Sequence, residues 1–185
     1  TAQLDQVVVS AGRFEQRVGE VTQSLSVLRP DIVQNKNITS MSDALDQVPG
    51  VVVVDEDPQI RAGSGFSYGA GSRVQVLVDD IPILSGDIGR PNWTFLPLEN
   101  LEQVEVIKGA SSVLYGSAAL SGVINVRTAF PRQEPKTRVV AFTGMYDTPG
   151  SAQAKWWGDN NPTISGVNFF HSRMIGNLDL VVGGN

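Results

Sequence analysis

Residues 103–128, which read QVEVIKGASSVLYGSAALSGVINVRT, constrain the fold of this chain more than any other stretch. Val104 and Val106 alternate with Glu105, and Ile107 precedes Lys108, the period-two pattern of a half-buried strand. Gly109 ends that strand. Ser111 or Ser112 then caps a short helical turn holding Val113, Leu114 and Tyr115. Gly116 stops the turn, and Gly122 opens a second strand through Val123, Ile124, Asn125 and Val126. So many small residues together imply backbones that approach closely or turn sharply. A strand, a glycine-bounded helical turn and a strand point to an α/β (α+β) domain.

The segments upstream carry the same mixture. Residues 4–11 are a short β-prone run, open to two readings: an edge strand of the domain's own sheet, or a segment lending its backbone to a partner's sheet edge. Ser24 to Leu28 alternates as a strand, and Pro30 starts a helical turn. The clearest helix follows. Ser40 is placed to cap it, and Met41, Ala44, Leu45 and Val48 recur at helical spacing on one apolar face. Pro49 and Gly50 stop it. Val51 to Val54 is a β-branched run, expected to be a buried strand. Residues 73–78 form a strong strand with Val74, Val76 and Val78 on one face and Gln75 and Leu77 on the other. Asp79 and Asp80 turn the chain after it, because Asp bonds its own backbone there. Two long loops remain: a glycine-rich one (62–72) with Phe66 and Tyr68, and a second (85–97) with Asp87, Arg90, Trp93 and Phe95 among Gly and Pro.

Composition excludes several kinds of chemistry. The chain of 185 residues holds no cysteine and one histidine, His171. A thiolate nucleophile, a disulfide framework and a multi-histidine zinc site are therefore out of reach. The net charge of -5 argues against nucleic acid as a partner. The glycine loop lacks the Gly-Lys-Ser/Thr ending of a phosphate-binding loop, and a strand rather than a helix follows it, so nucleotide chemistry is not supported. No nucleophile, base or metal cluster marks an enzyme, and no cofactor or metal is expected. No apolar run approaches the roughly 20 residues of a transmembrane helix. With no signal peptide at Thr1, the chain is expected to be cytoplasmic or the mature or excised part of an exported protein.

Beyond a polar linker at residues 132–136 the composition shifts to long strands: 138–146, 167–174 and 178–183, the last two joined by a hairpin-like turn at Ile175, Gly176 and Asn177. Trp156 and Trp157 sit between the first and second. Strands of about 9–11 residues with flanking aromatics fit a transmembrane β-barrel and equally an ordinary antiparallel hairpin. Because open strands expose unpaired edges, residues after about Pro135 are expected to be poorly ordered or aberrantly paired unless they join the first sheet.

Four segments in order carry a family resemblance. They are Asp5-Gln6-Val7-Val8-Val9-Ser10-Ala11; the helix Asp43-Ala44-Leu45-Asp46-Gln47-Val48 running into Pro49-Gly50-Val51; Ile60-Arg61 with the glycine loop and then Val76-Leu77-Val78-Asp79; and residues 103–128. Together they resemble a TonB-dependent outer-membrane receptor. Ala62, Asp80, Ala110 and Ser121 depart from the family's usual residues, all as small or turn-compatible changes. The resemblance implies a TonB-box-like segment and mobile linker over residues 1–20, a small mixed-sheet plug with short helices over 21–131, and the start of an antiparallel barrel of about 22 strands over 132–185. It implies a place in the Gram-negative outer membrane, with the plug inside the barrel lumen. The small-molecule nutrient is an iron chelate, haem, cobalamin or oligosaccharide. Asp5, Gln6, Val7, Val8, Val9 and Ser10 are expected to pair as a strand with TonB. Phe66, Tyr68, Asp87, Arg90 and Trp93 are expected at outer apices against ligand, and Arg61, Glu105 and Lys108 in polar contacts across the plug or to its own barrel. The alternative is an exported α/β adhesion or interaction domain with a permanently paired N-terminal strand.

Overall fold

The computed structural model describes residues 8–9, 16–17, 24–36, 38, 40–61, 63, 66–67, 71–93, 98–110, 112–131 and 133–184. It divides into two units, Thr1–Ala129 and Phe130–Asn185. In the first unit, strands β1 (Val8–Val9), β2 (Gln16–Arg17) and β3 (Ser24–Leu28) precede helices α1 (Pro30–Asn35) and α2 (Met41–Leu45). Next come β4 (Val51–Val54), β5 (Asp57–Ile60), β6 (Phe66–Ser67), β7 (Gly71–Ser72), β8 (Val74–Val78) and β9 (Ile81–Pro82). A long strand β10 (Leu101–Lys108), helix α3 (Ser112–Tyr115) and strand β11 (Gly122–Thr128) close the unit.

Residues 103–128 supply the centre of the sheet. Its strand order is β3-β10-β11-β8-β9, with β11 antiparallel to β10 and parallel to β8. Alternation along these strands makes two faces. On one face Val74, Val76, Val104, Val106, Ile124 and Val126 pack with Met41, Ala44 and Leu45 of α2 into the main core. Each fully buried aliphatic side chain there contributes about 1.5–3 kcal/mol. Helix α2 starts where its cap directs it but ends at Leu45, short of the expected stop at Pro49: Ser40 Oγ accepts from the Asp43 amide at 3.1 Å, and Met41, Ala44 and Leu45, with Val48 beyond the helix end, are all buried. On the other face a smaller cluster joins Leu77, Ile107, Tyr115, Ala119 and Val123 with Val9 of β1.

Two expectations are corrected. Val51 to Val54 is not a buried strand: it pairs only with β5 in a two-stranded hairpin, leaving Val52 and Val54 exposed while Val51 is buried. β-Branching stiffens the backbone toward a strand but does not say whether a second layer covers it. The chain beyond Pro135 is also regular. Strands β12 (Lys136–Met145), β13 (Thr163–Ile175) and β14 (Leu178–Gly184) form a three-stranded antiparallel meander in continuous register. The β12–β13 ladder spans ten residue pairs, and Gly176 makes the tight β13–β14 turn at φ +62°. Local antiparallel cross-strand pairs of this kind are the unit of sheet stabilisation. On β12 the exposed Thr137, Val139, Ala141, Thr143 and Met145 alternate with the half-buried Arg138, Val140, Phe142 and Gly144.

Candidate functional site

The two long loops of the sequence meet. The turn between β4 and β5 holds Asp55 and Glu56 at positive φ, 50° and 69°. Trp93 Nε1 donates to the Glu56 carbonyl at 2.7 Å. Arg90 Nη2 lies 3.1 Å from Asp57 Oδ2, and the Asp57 side chain is only 7% exposed. The loop carrying these residues is closed on itself: the Ser85 amide donates to the Arg90 carbonyl at 2.7 Å, and the Gly89 amide to the Ser85 carbonyl at 2.9 Å. The Ser72 amide donates to the Gly89 carbonyl at 3.0 Å. Gly71 and Gly89, both at positive φ, pass so closely that a Cβ on Gly89 would stand 3.2 Å from Gly71 Cα. β7 in turn pairs with β6, with Phe66 opposite Ser72.

The structure thus brings the backbone of Phe66 and the side chains of Arg90 and Trp93 to one loop cluster. Asp87 belongs to the same loop but stays exposed. The Ile88 amide donates to Asp87 Oδ1 at 2.8 Å and holds that carboxyl below the usual carboxylate range. Tyr68 lies outside the described residues. Sequence reasoning missed Asp57, which anchors Arg90 from 33 positions away. The only local sign was the acidic run at residues 55–57 before Pro58.

Burial pushes the Asp57 carboxyl above its ordinary value, and Arg90 partly offsets this. A carboxyl raised in the folded state favours folding most when protonated. Its contribution is full below the unfolded value near 3.8 and declines as pH rises through the folded one. Asp57→Asn removes this titration. In urea denaturation from pH 3.5 to 7, the stability of Asp57→Asn relative to wild type is expected to rise with pH. A constant difference would refute this.

The three polar residues expected to reach across the plug or to its barrel lie apart. Arg61 is exposed at φ +54°, and its amide closes the β4–β5 hairpin on the Gly50 carbonyl at 2.8 Å. Lys108 Nζ donates to the Pro49 carbonyl at 2.6 Å, capping the chain as it leaves α2. Glu105 points to the opposite face of β10 and is 1% exposed. Gln103 Nε2 donates to it at 2.9 Å, and Arg127 Nε stands 3.8 Å away. Arg127 also pairs with Asp80 at 2.9 Å, and Asp80 accepts from Asn125 Nδ2 at 3.0 Å. Its neighbour Asp79 accepts from Thr128 Oγ1 at 2.6 Å. The two carboxylates first read as turn formers do make the turn, at φ 46° and 69°. They also lock it to the end of β11, a partnership that the local pattern did not contain.

Of the N-terminal segment, Asp5, Gln6, Val7 and Ser10 lie outside the described residues. Val8 and Val9 pair antiparallel with Arg17 and Gln16, and Val9 is 1% exposed in the smaller cluster. Among the described residues no group of three or more acidic or histidine side chains is arranged to hold a metal ion. Among the described residues no helix is long and apolar enough to cross a membrane.

Residues 17–123 match the family model described as TonB-dependent Receptor Plug Domain. The chain is 35% identical over 133 residues to the vitamin B12 transporter BtuB of Vibrio vulnificus, covering 71% of this chain and 22% of that protein. It is 30% identical over 177 residues to the vitamin B12 transporter BtuB of Photobacterium profundum, covering 91% and 29%. The ferripyoverdine receptor of the outer membrane of Pseudomonas aeruginosa superposes with a TM-score of 0.61 at 19% identity, over 92% of this chain and 20% of that one. The ferric yersiniabactin uptake receptor FyuA of Yersinia pestis gives 0.61 at 18% identity, over 84% and 22%. The structural likenesses show the fold. This chain spans less than a third of the length of each of these proteins, which are named as transporters and receptors.

Proposed function

Because the chain belongs to the TonB-dependent receptor plug domain family, we propose that it forms the plug and first barrel strands of a ligand-gated, TonB-energised outer-membrane receptor. That receptor imports a scarce nutrient: an iron chelate, haem, cobalamin or oligosaccharide. The observation that carries this reading is the succession within one chain. A mixed sheet filled by residues 103–128 is followed by a meander whose outer face exposes Val139, Met145, Val167, Phe169 and Val182. An apolar face alternating with a less exposed one suits a barrel wall. Residues 1–20 form the TonB-box segment and linker, 21–131 the plug and 132–185 the start of the barrel.

In this reading Phe66, Tyr68, Asp87, Arg90 and Trp93 face the ligand, and the pinned loops keep Arg90 and Trp93 in place for it. Arg61, Glu105 and Lys108 make polar contacts that hold the plug together or against its barrel. Asp5, Gln6, Val7, Val8, Val9 and Ser10 pair with TonB by main-chain hydrogen bonds. Val9 must leave its buried contacts before that strand can form, so partner access is coupled to the smaller cluster. In the full-length receptor, deleting residues 5–10 is expected to abolish energised uptake while ligand affinity is retained. Uptake at the wild-type rate would refute the reading.

One observation favours the alternative of an exported adhesion or interaction domain: β1 is already paired and Val9 buried. Hydrogen exchange at Val8 and Val9 separates the two. Protection that persists with ligand present indicates a fixed strand, and protection lost on ligand addition indicates a releasable box.

A further inference from the structure

The outer face of the meander carries a charge that the receptor reading does not use. Strand alternation and the unbroken β12–β13 and β13–β14 registers set Val139, Phe169 and Val182 on the same face as His171 and Arg173. Apart from these last two, that face holds no titratable or charged residue on any of the three strands. Arg173 is exposed, and its neighbour across the ladder is Leu180. Asp179, the acidic residue of β14, pairs with Met174 on the opposite face. No ion pair among the described residues includes Arg173. Two positions along the strand, His171 Nδ1 lies 2.8 Å from Thr137 Oγ1, which holds the ring by one nitrogen and leaves Nε2 for another partner.

Height decides what the cation meets. Ten residue steps separate Thr163 from Arg173, about 33 Å along a strand and about 23 Å across a bilayer at a tilt of about 45°. The apolar band of a transmembrane barrel is about 25 Å tall, so the two residues stand near its opposite rims. The Arg173 end closes with the tight turn at Gly176. The Thr163 end is reached through the long connection 146–162, where the Trp156 and Trp157 ring centroids lie 5.3 Å apart and Tyr146 stands 6.3 Å from each. Transmembrane barrels keep short turns on the periplasmic side and long loops outside. Arg173 therefore reaches the headgroup level of the periplasmic leaflet, with its aliphatic stem against the apolar band. A cation on the lipid face is costly at the midplane and close to neutral in cost at that level. A guanidinium there presents a fork that matches two phosphate oxygens.

We infer that Arg173, assisted by His171, binds the phosphodiester of an anionic phospholipid in the periplasmic leaflet, with an acyl chain of that lipid along Val182 and Phe169. The inference rests on the receptor reading above and adds to it a partner outside the nutrient and the energising protein. Charge and surroundings together select a lipid. The cation has no carboxylate on its face, and the exposed Ile175 and Val182 beside it offer a surface to hydrocarbon. An acidic protein surface would meet no polar rim there.

The test uses the full-length receptor in detergent, with phosphatidylglycerol, phosphatidylcholine and lipid A as probes and native mass spectrometry counting the lipids retained. Wild type is expected to hold at least one phosphatidylglycerol about tenfold more tightly than phosphatidylcholine. Arg173→Gln is expected to lower the number of tightly held phosphatidylglycerol molecules by one. Arg173→Lys, which keeps the charge but not the fork, is expected to recover part of that binding, and His171→Gln to weaken it about threefold. Because Arg173 is exposed and outside every ion pair, the thermal midpoint without added lipid is expected to be unchanged, which separates a lost contact from a lost fold. An unchanged phosphatidylglycerol count in Arg173→Gln overturns the inference and leaves the receptor reading intact. Loss of lipid A in its place would put this end of the strand in the outer leaflet and overturn the inference too. Failure of the full-length wild type to float with phospholipid vesicles would instead remove the receptor reading itself, and the inference with it.

Discussion

Gly122→Ala is expected to destabilise the first unit by about 3 kcal/mol, read as a lower urea midpoint with an unchanged slope. Gly122 opens β11 opposite Lys108, and a Cβ there would lie 2.4 Å from the Ile107 carbonyl oxygen and 2.7 Å from Ile60 Cδ1. The Ile60 methyl can swing aside, but the carbonyl belongs to the backbone of β10. β11 has nowhere to retreat, because β8 holds its other edge. The backbone at φ +156° adds to the cost for any L side chain. Gly150→Ala is the control, since nothing lies within 4 Å of a Cβ there. Equal midpoints for Gly122→Ala and wild type would show that the strands can separate enough to admit a methyl group.

The same glycine marks how far local sequence reaches. That residues 103–128 fold as strand, short helix and strand was legible from alternation and glycine placement. That Gly122 is required because of the Ile107 carbonyl was not, since the contact exists only after β10 and β11 pair. Helix α2 was legible for a different reason: its cap and its apolar face both lie within nine residues. Val51 to Val54 misled because β-branching reports on backbone preference, whereas burial depends on which elements pack above. In the loop cluster, Arg90 and Trp93 stood out as unusual side chains in a long loop. Their anchors, Asp57 and the Glu56 carbonyl, lie across a two-stranded hairpin and a glycine crossing that no periodicity encodes. The tryptophan pair was visible in the sequence, but Tyr146 joins it only through the β12–β13 register.

Arg127 offers the other large expected effect, and the choice of partner decides its size. Its shorter ion pair is with Asp80 at 2.9 Å, but the Asp80 side chain is 43% exposed, and water screens such a pair to about 0–1 kcal/mol. Its longer contact is with Glu105 at 3.8 Å, whose side chain is 1% exposed. Removing the cation from beside a carboxylate so deeply desolvated costs about 3–5 kcal/mol where a buried pair is broken. Arg127→Met is therefore expected to lose about 3 kcal/mol in urea denaturation, and Asp80→Asn less than about 1. Asn suits the positive φ of position 80, so the second change leaves the turn geometry in place. The test is a double-mutant cycle. In a Glu105→Gln background the cost of Arg127→Met is expected to fall to about 1 kcal/mol, because the carboxylate that faces Arg127 is gone. An undiminished cost in that background would assign the loss to Asp80 and Asn125 instead. The consequence for the proposed plug is mechanical. Arg127 sits just before the Ala129 amide, which donates to the Asn100 carbonyl at 2.8 Å where the chain leaves the first unit. Glu105 of β10, Arg127 of β11 and the 79–80 turn are thus tied together beside that exit, so opening the sheet there breaks this network.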